Sequence, residues 1–154
     1  FAATLMAGVD CIQEVPYSRW DSGEYYDPEA STGLKMYVQH GGFIEGGELF
    51  AAAHFNIVKP EAETMDPQQR HLLEVSFEAF LGAKIEKSTL MGSLTGVFVG
   101  QDKCDWNRMI SGSQGGPYAA TGGSSSISAN RISYVLGLRG PSATIDTACS
   151  SSLA

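Results

Sequence analysis

Residues 143–153 read ATIDTACSSSL, and this stretch decides how the whole chain is interpreted. Its first four residues are β-prone and predict a short strand over residues 143–147. The strand leads directly to Cys149, which stands among small residues. If a helix begins at Cys149, the positive end of the helix dipole favours the thiolate, which is the nucleophilic form of cysteine. The stretch therefore predicts a strand-to-helix turn that presents a reactive thiol.

A cysteine is weak evidence on its own, because most free cysteines are small buried residues without chemistry. The other motif candidates are weaker still. The glycine-rich segments 112–116 and 121–126 lack the lysine of a phosphate-binding loop, and we interpret them as turns and a helix cap. No G-x-S-x-G elbow occurs, which argues against a serine hydrolase.

The composition argues against several classes of protein. The chain of 154 residues has a net charge of −7, and its ten lysines and arginines form no basic cluster, which argues against nucleic acid binding. No apolar run approaches the roughly 20 residues that a membrane span needs. The cysteines Cys11, Cys104 and Cys149 form neither a metal-binding spacing nor an even set for disulfides. We expect a reducing, cytoplasmic setting, with targeting to an organelle left open.

A helix is predicted from Asp66 to about residue 83. Asp66 can cap its first turn, Pro67 suits the first helical position, and Gln69 can complete a capping box by reaching back to the start. The apolar residues at helical spacing predict a buried face that covers a sheet. That face consists of Leu72, Leu73, Phe77, Phe80 and Leu81.

Two further elements precede the 143–147 strand. The apolar, glycine-bounded residues 95–100 predict a short buried strand. Residues 126–136 predict a helix that Gly137 stops. The order strand, helix, strand predicts a layered α/β architecture with helices against a sheet.

The first part of the chain carries fewer periodic signals. Residues 1–8 predict the end of an amphipathic helix that closes near Gly8. Residues 16–48 are rich in Gly, Pro, Tyr and Asp, and predict a long irregular segment with one short strand near Tyr37–Val38. The sequence has no initiator methionine and ends within the helix expected after Cys149, so we expect a piece of a longer protein, cut at both ends.

The chain resembles the β-ketoacyl synthases, the condensing domains of polyketide and fatty acid synthases. DTACSSS at residues 146–152 is similar to the active-site signature of that family. Further blocks follow in the family's order along essentially the whole chain: VPYSRWD (15–21), KMY (35–37), GGFI (41–44), HFNI (54–57), MDPQQR (65–70), TGVFVG (95–100) and NRISYVLGLRGPS (130–142). The chain departs from the family pattern at Ala51, His54 and Asn130, and none of these touches the cysteine.

The resemblance implies a thiolase-like α/β/α sandwich of two duplicated halves, with residues 1–154 forming mainly the first half, as a partial ketosynthase N-terminal region. It implies that Cys149 is the catalytic nucleophile and that its backbone N–H is one oxyanion donor. It implies no directly bound cofactor, since substrates arrive on the phosphopantetheine arm of an acyl carrier protein. It also implies an intact domain that dimerises through residues 143–147.

The family pairs its cysteine with two histidines and a lysine from a C-terminal half that lies beyond these residues. His40, His54 and His71 stand in no histidine motif of the family, so we assign them surface or packing roles. Two alternatives stay open. One is a thiolase-fold enzyme that acts on coenzyme A esters, and the other is an inactive fragment or a non-extending scaffold copy of the fold.

Overall fold

The computed structural model describes residues 2–29, 33–102, 105–110 and 116–153. The chain divides into two compact units, residues 1–46 and residues 47–154, and each is described by itself. None of the helices in the described ranges combines the length and the apolar character that crossing a bilayer requires.

The first unit contains short elements joined by turns. Helix α1 (Ala2–Met6) closes at Gly8, whose φ of 62° lies in the left-handed region, as predicted. Strand β1 (Gln13–Glu14) pairs antiparallel with β2 (His40–Gly41). Helix α2 (Ser22–Tyr25) lies between the two strands in sequence.

The strand predicted near Tyr37–Val38 is wrong. The backbone of Met36 bonds to Tyr25 and Asp27, whereas the carbonyl of Gln39 accepts from Val15. The chain changes its pairing partner between these two points, so residues 37–38 form the link between the two pairings and join neither.

The second unit holds the candidate site. In chain order it contains a 3₁₀ helix (Ala52–Phe55), α3 (Lys59–Thr64), α4 (Pro67–Gly82), α5 (Lys87–Leu90), β3 (Val97–Gly100), α6 (Trp106–Ile110), α7 (Ala119–Gly122), α8 (Ser126–Leu136), β4 (Ser142–Ile145) and a final 3₁₀ helix (Ser151–Leu153). Strands β3 and β4 pair in parallel, in a register that places Val97 beside Ser142 and Gly100 beside Ile145. The helices between them form the crossover that a parallel pair requires.

Helix α8 contacts both the two-stranded sheet and α4, so the second unit is layered, as predicted. The prediction that α4 covers the sheet is wrong, because α4 packs mainly against α8. The Ala129 N–H donates to Thr144 Oγ1 at 3.3 Å, and the Ser133 hydroxyl donates to Ser142 at 3.2 Å. The core lies where these elements meet. Its buried members are Phe55, Ile57, Met65, Leu73, Leu90, Val99, Ala129, Ile132 and Leu136.

Two predicted burial patterns hold only in part. Strand β3 buries Val99, but Phe98 is 64% exposed because alternate residues of a strand face opposite sides. On α4, Leu73 is buried as predicted, whereas Leu81 is 65% exposed, one residue before the helix ends at Gly82. The sheet is therefore covered by α8 on one face only among the described residues.

The two predicted helices form with nearly the predicted bounds. Asp66, 2% exposed, caps α4 by accepting a hydrogen bond from the Gln68 N–H at 2.7 Å. Helix α8 spans the predicted residues, and Gly137 closes it with a φ of 69°. The predicted helix-cap role of the serines before α8 is wrong for Ser125, whose side chain makes no capping bond.

The predicted capping box of α4 is also wrong, because the Gln69 side chain points into the core and not back to the helix start. Its amide donates to the carbonyls of Thr121 and Ser124 at 3.1 and 3.0 Å. Its oxygen accepts from Arg131 Nε at 3.0 Å, and the same guanidinium is paired with Glu61. This buried network ties α3, α4 and α8 to the turn that precedes α8.

Candidate active site

Cys149 lies in a tight turn directly after the carboxyl end of β4, and its thiol is free and exposed. Asp146 ends the strand, because its carboxylate accepts a hydrogen bond from the Ala148 N–H at 3.0 Å. The Ser150 N–H donates to the Thr147 carbonyl at 3.3 Å, which closes a four-residue turn. The strand predicted to reach residue 147 thus stops at Ile145, and a turn presents the cysteine.

Ala148 holds an unusual backbone conformation in this turn. Its φ of 55° lies in the left-handed region, which costs a residue other than glycine about 1–2 kcal/mol. The buried hydroxyl of Ser151, a residue that is 7% exposed, stabilises this conformation with two hydrogen bonds. The hydroxyl accepts from the Thr147 N–H at 2.8 Å and donates to the Ala148 carbonyl at 2.7 Å.

A second hydroxyl reinforces the same turn from its exposed side. The Ser150 hydroxyl lies 2.8 Å from the Thr147 carbonyl oxygen and 2.9 Å from the Thr147 hydroxyl. Ser150 and Ser151 therefore both hydrogen-bond the loop that carries the thiol.

The α-helix predicted to begin at Cys149 is wrong for the described residues. The Ser151 N–H bonds to Ala148 and the Leu153 N–H bonds to Ser150, so this segment makes i to i−3 bonds and forms a 3₁₀ helix. An α-helix would need Leu153 to bond to Cys149 instead. The turn and the hydroxyls of Ser150 and Ser151 therefore position the thiol. An α-helix dipole does not account for a reactive thiolate among these residues.

Gly100 fixes the position of the turn against the sheet. A Cβ at this position would lie 2.9 Å from the Ser151 carbonyl carbon and 2.9 Å from the Ser152 nitrogen. Only a residue without a side chain lets the end of β3 approach this backbone so closely. Gly100, which ends the predicted strand at residues 95–100, therefore also packs against the backbone that follows Cys149. Its position in the sequence does not indicate this role.

Gln101 lies beside the end of β4 and is 6% exposed. Its N–H donates to the Ile145 carbonyl at 3.0 Å, and its side-chain oxygen accepts from the Ser128 hydroxyl of α8. This contact anchors the carboxyl ends of both strands to α8, so the sheet edge that carries the turn is held from the helical side.

The remaining candidates do not join the cysteine. His54 packs edge-on against Phe77 at 4.4 Å between ring centroids, and His71 bonds to the Gly47 carbonyl at 3.2 Å. Within the described ranges no group of three or more His, Cys, Asp and Glu residues could hold a metal ion. Cys104 and residues 112–115 of the first glycine-rich segment lie outside the described residues.

The second glycine-rich segment serves close packing, as predicted for a backbone-permissive turn. A Cβ on Gly122 would collide with the Thr64 carbonyl, and one on Gly123 would collide with the Asn107 side chain. The Asn107 amide donates to the Gly123 carbonyl at 2.7 Å. These contacts fix the turn that leads into α8.

The comparisons with known proteins agree on one family. The family described as "Beta-ketoacyl synthase, N-terminal domain" matches residues 1–154. The chain is 44% identical to the polyketide synthase ThaG of Burkholderia thailandensis over 154 residues, which cover 99% of this chain and 3% of that protein. It is 41% identical to a mycocerosic acid synthase-like polyketide synthase of Mycolicibacterium smegmatis, covering 97% of this chain and 7% of that protein. The chain thus spans less than a tenth of either relative.

Solved structures give the same result. A ketosynthase from module 6 of the bacillaene synthase of Bacillus subtilis 168 superposes with a TM-score of 0.85 at 36% identity, covering 99% of this chain and 24% of that chain. An oxazolomycin ketosynthase domain of Streptomyces albus JA3453 superposes with a TM-score of 0.83 at 36% identity, covering 99% and 27%. The predicted fold class, a partial thiolase-like α/β domain, is confirmed by these neighbours. The chain belongs to the β-ketoacyl synthase family and corresponds to its N-terminal domain.

Proposed function

We propose that residues 1–154 form the N-terminal part of a ketosynthase domain that catalyses decarboxylative Claisen condensation in polyketide biosynthesis, with Cys149 as its nucleophile. One observation carries the proposal. In a chain of this family, Cys149 stands exposed in a hydrogen-bonded turn at the carboxyl end of a parallel strand pair. It lies within residues 146–152, the segment that resembles the family's active-site signature. Open α/β sheets place their reactive groups at such an edge.

The first half-reaction loads the enzyme. The Cys149 thiolate attacks the carbonyl carbon of an acyl thioester carried on the phosphopantetheine arm of an acyl carrier protein. A new bond forms between Sγ and the acyl carbon, the bond to the pantetheine sulfur breaks, and the pantetheine thiol takes up a proton as it leaves. Covalent catalysis of this kind divides one difficult transfer into two easier ones.

The second half-reaction extends the chain. A malonyl-type thioester loses carbon dioxide, the electron pair released at its α-carbon attacks the acyl-cysteine carbonyl, and Cys149 departs as thiolate. The product is a β-ketoacyl thioester on the carrier. The oxyanion that develops on the acyl carbonyl in both halves requires fixed donors, and the resemblance assigns one of these to the Cys149 backbone N–H. The two histidines and the lysine of this step belong to the C-terminal half of the domain in the same proposal.

The partners follow from the same assignment. An acyl carrier protein delivers both thioesters, and no other cofactor is needed for the transfer. Among the described residues β4 pairs only with β3, which leaves its other edge for the strand of a second copy, and this supports a homodimer through residues 143–147. The free thiols of Cys11 and Cys149 suit a reducing, cytoplasmic compartment.

Acyl loading tests the proposal directly. The intact ketosynthase domain that contains this chain is incubated with a short acyl thioester, and the intact mass is recorded. We expect a single acyl adduct that disappears in Cys149→Ala and persists in Cys11→Ala, a matched control because Cys11 is also free and exposed. No adduct on the folded domain would contradict the nucleophile, and would leave a non-extending scaffold copy as the better account.

A second comparison separates carrier-protein synthases from enzymes that act on coenzyme A esters. The same acyl group is offered on an acyl carrier protein and on coenzyme A, and the two loading rates are measured at equal concentrations. We expect faster loading from the carrier protein. Equal or faster loading from coenzyme A, followed by condensation with a second coenzyme A ester, would favour the thiolase-type alternative.

A further inference from the structure

We propose that Ser151 is a positioning residue for Cys149, and that its hydroxyl sets the direction in which the Cys149 backbone N–H points. The inference rests on the proposed function, because it concerns how the nucleophile and its oxyanion donor are held. Ser151 itself contacts no reacting atom in this proposal.

The hydroxyl of Ser151 bridges the peptide group that precedes Thr147 and the peptide group that follows Ala148, and we call this pair of hydrogen bonds the clamp. It accepts from the Thr147 N–H at 2.8 Å and donates to the Ala148 carbonyl at 2.7 Å. Both distances are typical of well-formed hydrogen bonds. Ser151 is 7% exposed, so water competes little for either bond.

The second of these bonds reaches Cys149 through covalent geometry. The Ala148 carbonyl and the Cys149 N–H belong to one planar trans peptide unit, in which they point in opposite directions. A bond that fixes the carbonyl therefore fixes the N–H as well. The Cys149 N–H, which the resemblance assigns to the oxyanion, is aimed by a side chain two residues further along the chain.

The clamp matters because the turn it holds is strained. Ala148 has a φ of 55°, and an alanine prefers negative values. Without the hydroxyl, the preference of Ala148 would favour rotation of the following peptide and would move both the Cys149 N–H and its thiol. Displacements of about 1 Å in a catalytic group can cost on the order of 100-fold in rate.

The base of the clamp is itself fixed. The Ser151 backbone lies against Gly100 at the end of β3, where a Cβ would approach the Ser151 carbonyl carbon to 2.9 Å. One buried hydroxyl therefore fixes the Thr147 N–H and the Ala148 carbonyl in position relative to the sheet. Ser152, by contrast, has an exposed side chain with no hydrogen bond among the described contacts, and it provides a matched control.

The test measures single-turnover acylation of the intact ketosynthase domain, separating the rate constant from the amplitude. We expect Ser151→Ala to lower the acylation rate constant by about 10- to 100-fold while the amplitude stays near one adduct per domain. Ser151→Thr, which keeps a hydroxyl, restores most of the rate. Ser152→Ala acylates at the wild-type rate.

The outcomes distinguish this inference from the proposed function. If wild type and Ser152→Ala form the adduct and Ser151→Ala does so equally fast, the positioning role fails while the nucleophile stands. If Ser151→Ala loses amplitude at an unchanged rate constant, Ser151 supports folding only and the inference is overturned. If the wild-type domain forms no adduct, the proposed function fails and takes the inference with it.

Discussion

At the scale of single residues, the cysteine turn depends on two small residues, Gly100 and Ser151, and each must be small for a different reason. Gly100 must lack a Cβ because the Ser151 and Ser152 backbone occupies the space. Ser151 must be small enough to be buried and polar enough to bond two peptide groups. Neither residue is the nucleophile, yet both determine where the Cys149 thiol lies.

We predict that Gly100→Ala destabilises the intact domain by about 1–3 kcal/mol, because the added methyl group forces the 3₁₀ helix off the end of β3. The free energy of unfolding in denaturant measures the effect. Gly82→Ala is the matched control, since a Cβ there meets nothing within 4 Å at the end of α4, and alanine is the better helix former. The control should leave stability unchanged or raise it by up to about 1 kcal/mol. Equal effects of the two substitutions would contradict the close contact at Gly100.

At the scale of elements, a buried polar network joins the helices behind the sheet. Arg131 on α8 is 8% exposed, and its guanidinium bonds both Gln69 on α4 and Glu61 on α3. A buried charge that loses its partner is costly, whereas a solvated pair contributes little. Helix α3 offers both cases, because Lys59 and Glu63 form an exposed pair at 3.7 Å on the same short helix.

We predict that Arg131→Met destabilises the intact domain by about 3–5 kcal/mol, since it leaves the Glu61 carboxylate and the side-chain oxygen of Gln69 without the guanidinium that they bond. A double-mutant cycle with Glu61→Gln should give a coupling energy of about 1–3 kcal/mol. The same cycle on Lys59 and Glu63 should give no more than about 0.5 kcal/mol. Comparable coupling in the two cycles, measured by denaturant unfolding, would rule out a structural role for the buried pair.

The sequence predicted the elements whose signals are local. The Asp66-Pro67 start, the apolar spacing of α4 and α8, and the stop at Gly137 all act within a few residues, and the two helices form there. The role of Gln69 was not predictable in this way. Its partners Thr121, Ser124 and Arg131 lie 52, 55 and 62 residues further along the chain, so only the folded structure brings them together.

For the candidate site, the geometry of the cysteine turn was not predictable from the sequence. The motif and the family resemblance singled out Cys149, and they implied a helix behind it. The structure instead has a turn with a left-handed Ala148, and alanine carries no local preference for that conformation. The hydroxyl contacts of Ser151 and the proximity of Gly100 impose it, and both are consequences of packing.

At the scale of the whole molecule, much apolar surface is left open. In the part of the chain that the structure describes, the sheet formed by β3 and β4 has two strands. Phe98 is 64% exposed on the face away from α8, and Leu94 and Leu153 are 83% and 87% exposed. Such surfaces are stable when another element covers them and prone to association when none does.

We therefore predict that residues 1–154, expressed alone, lack a cooperative thermal unfolding transition and self-associate, because the open face and strand edges stay uncovered. Calorimetry and sedimentation velocity measure the two properties. The intact ketosynthase domain, measured in the same buffer, is the control and should unfold cooperatively. A sharp transition from a monodisperse sample of the isolated chain would show that its own core suffices.

The parallel pairing of β3 with β4 also sets an order of events at the ribosome. Residues 101–141 separate the strands in sequence, so β3 emerges before the partner that it needs. At about 5–20 residues per second, the nascent chain carries an unmatched β3 for seconds, long enough for a chaperone to engage it. The cysteine turn follows β4 in the chain, so Cys149 leaves the ribosome directly after the strand that carries its turn. A pause in translation between the two strands would lengthen the time for which β3 lacks its partner, but Cys149 would not yet have been synthesised.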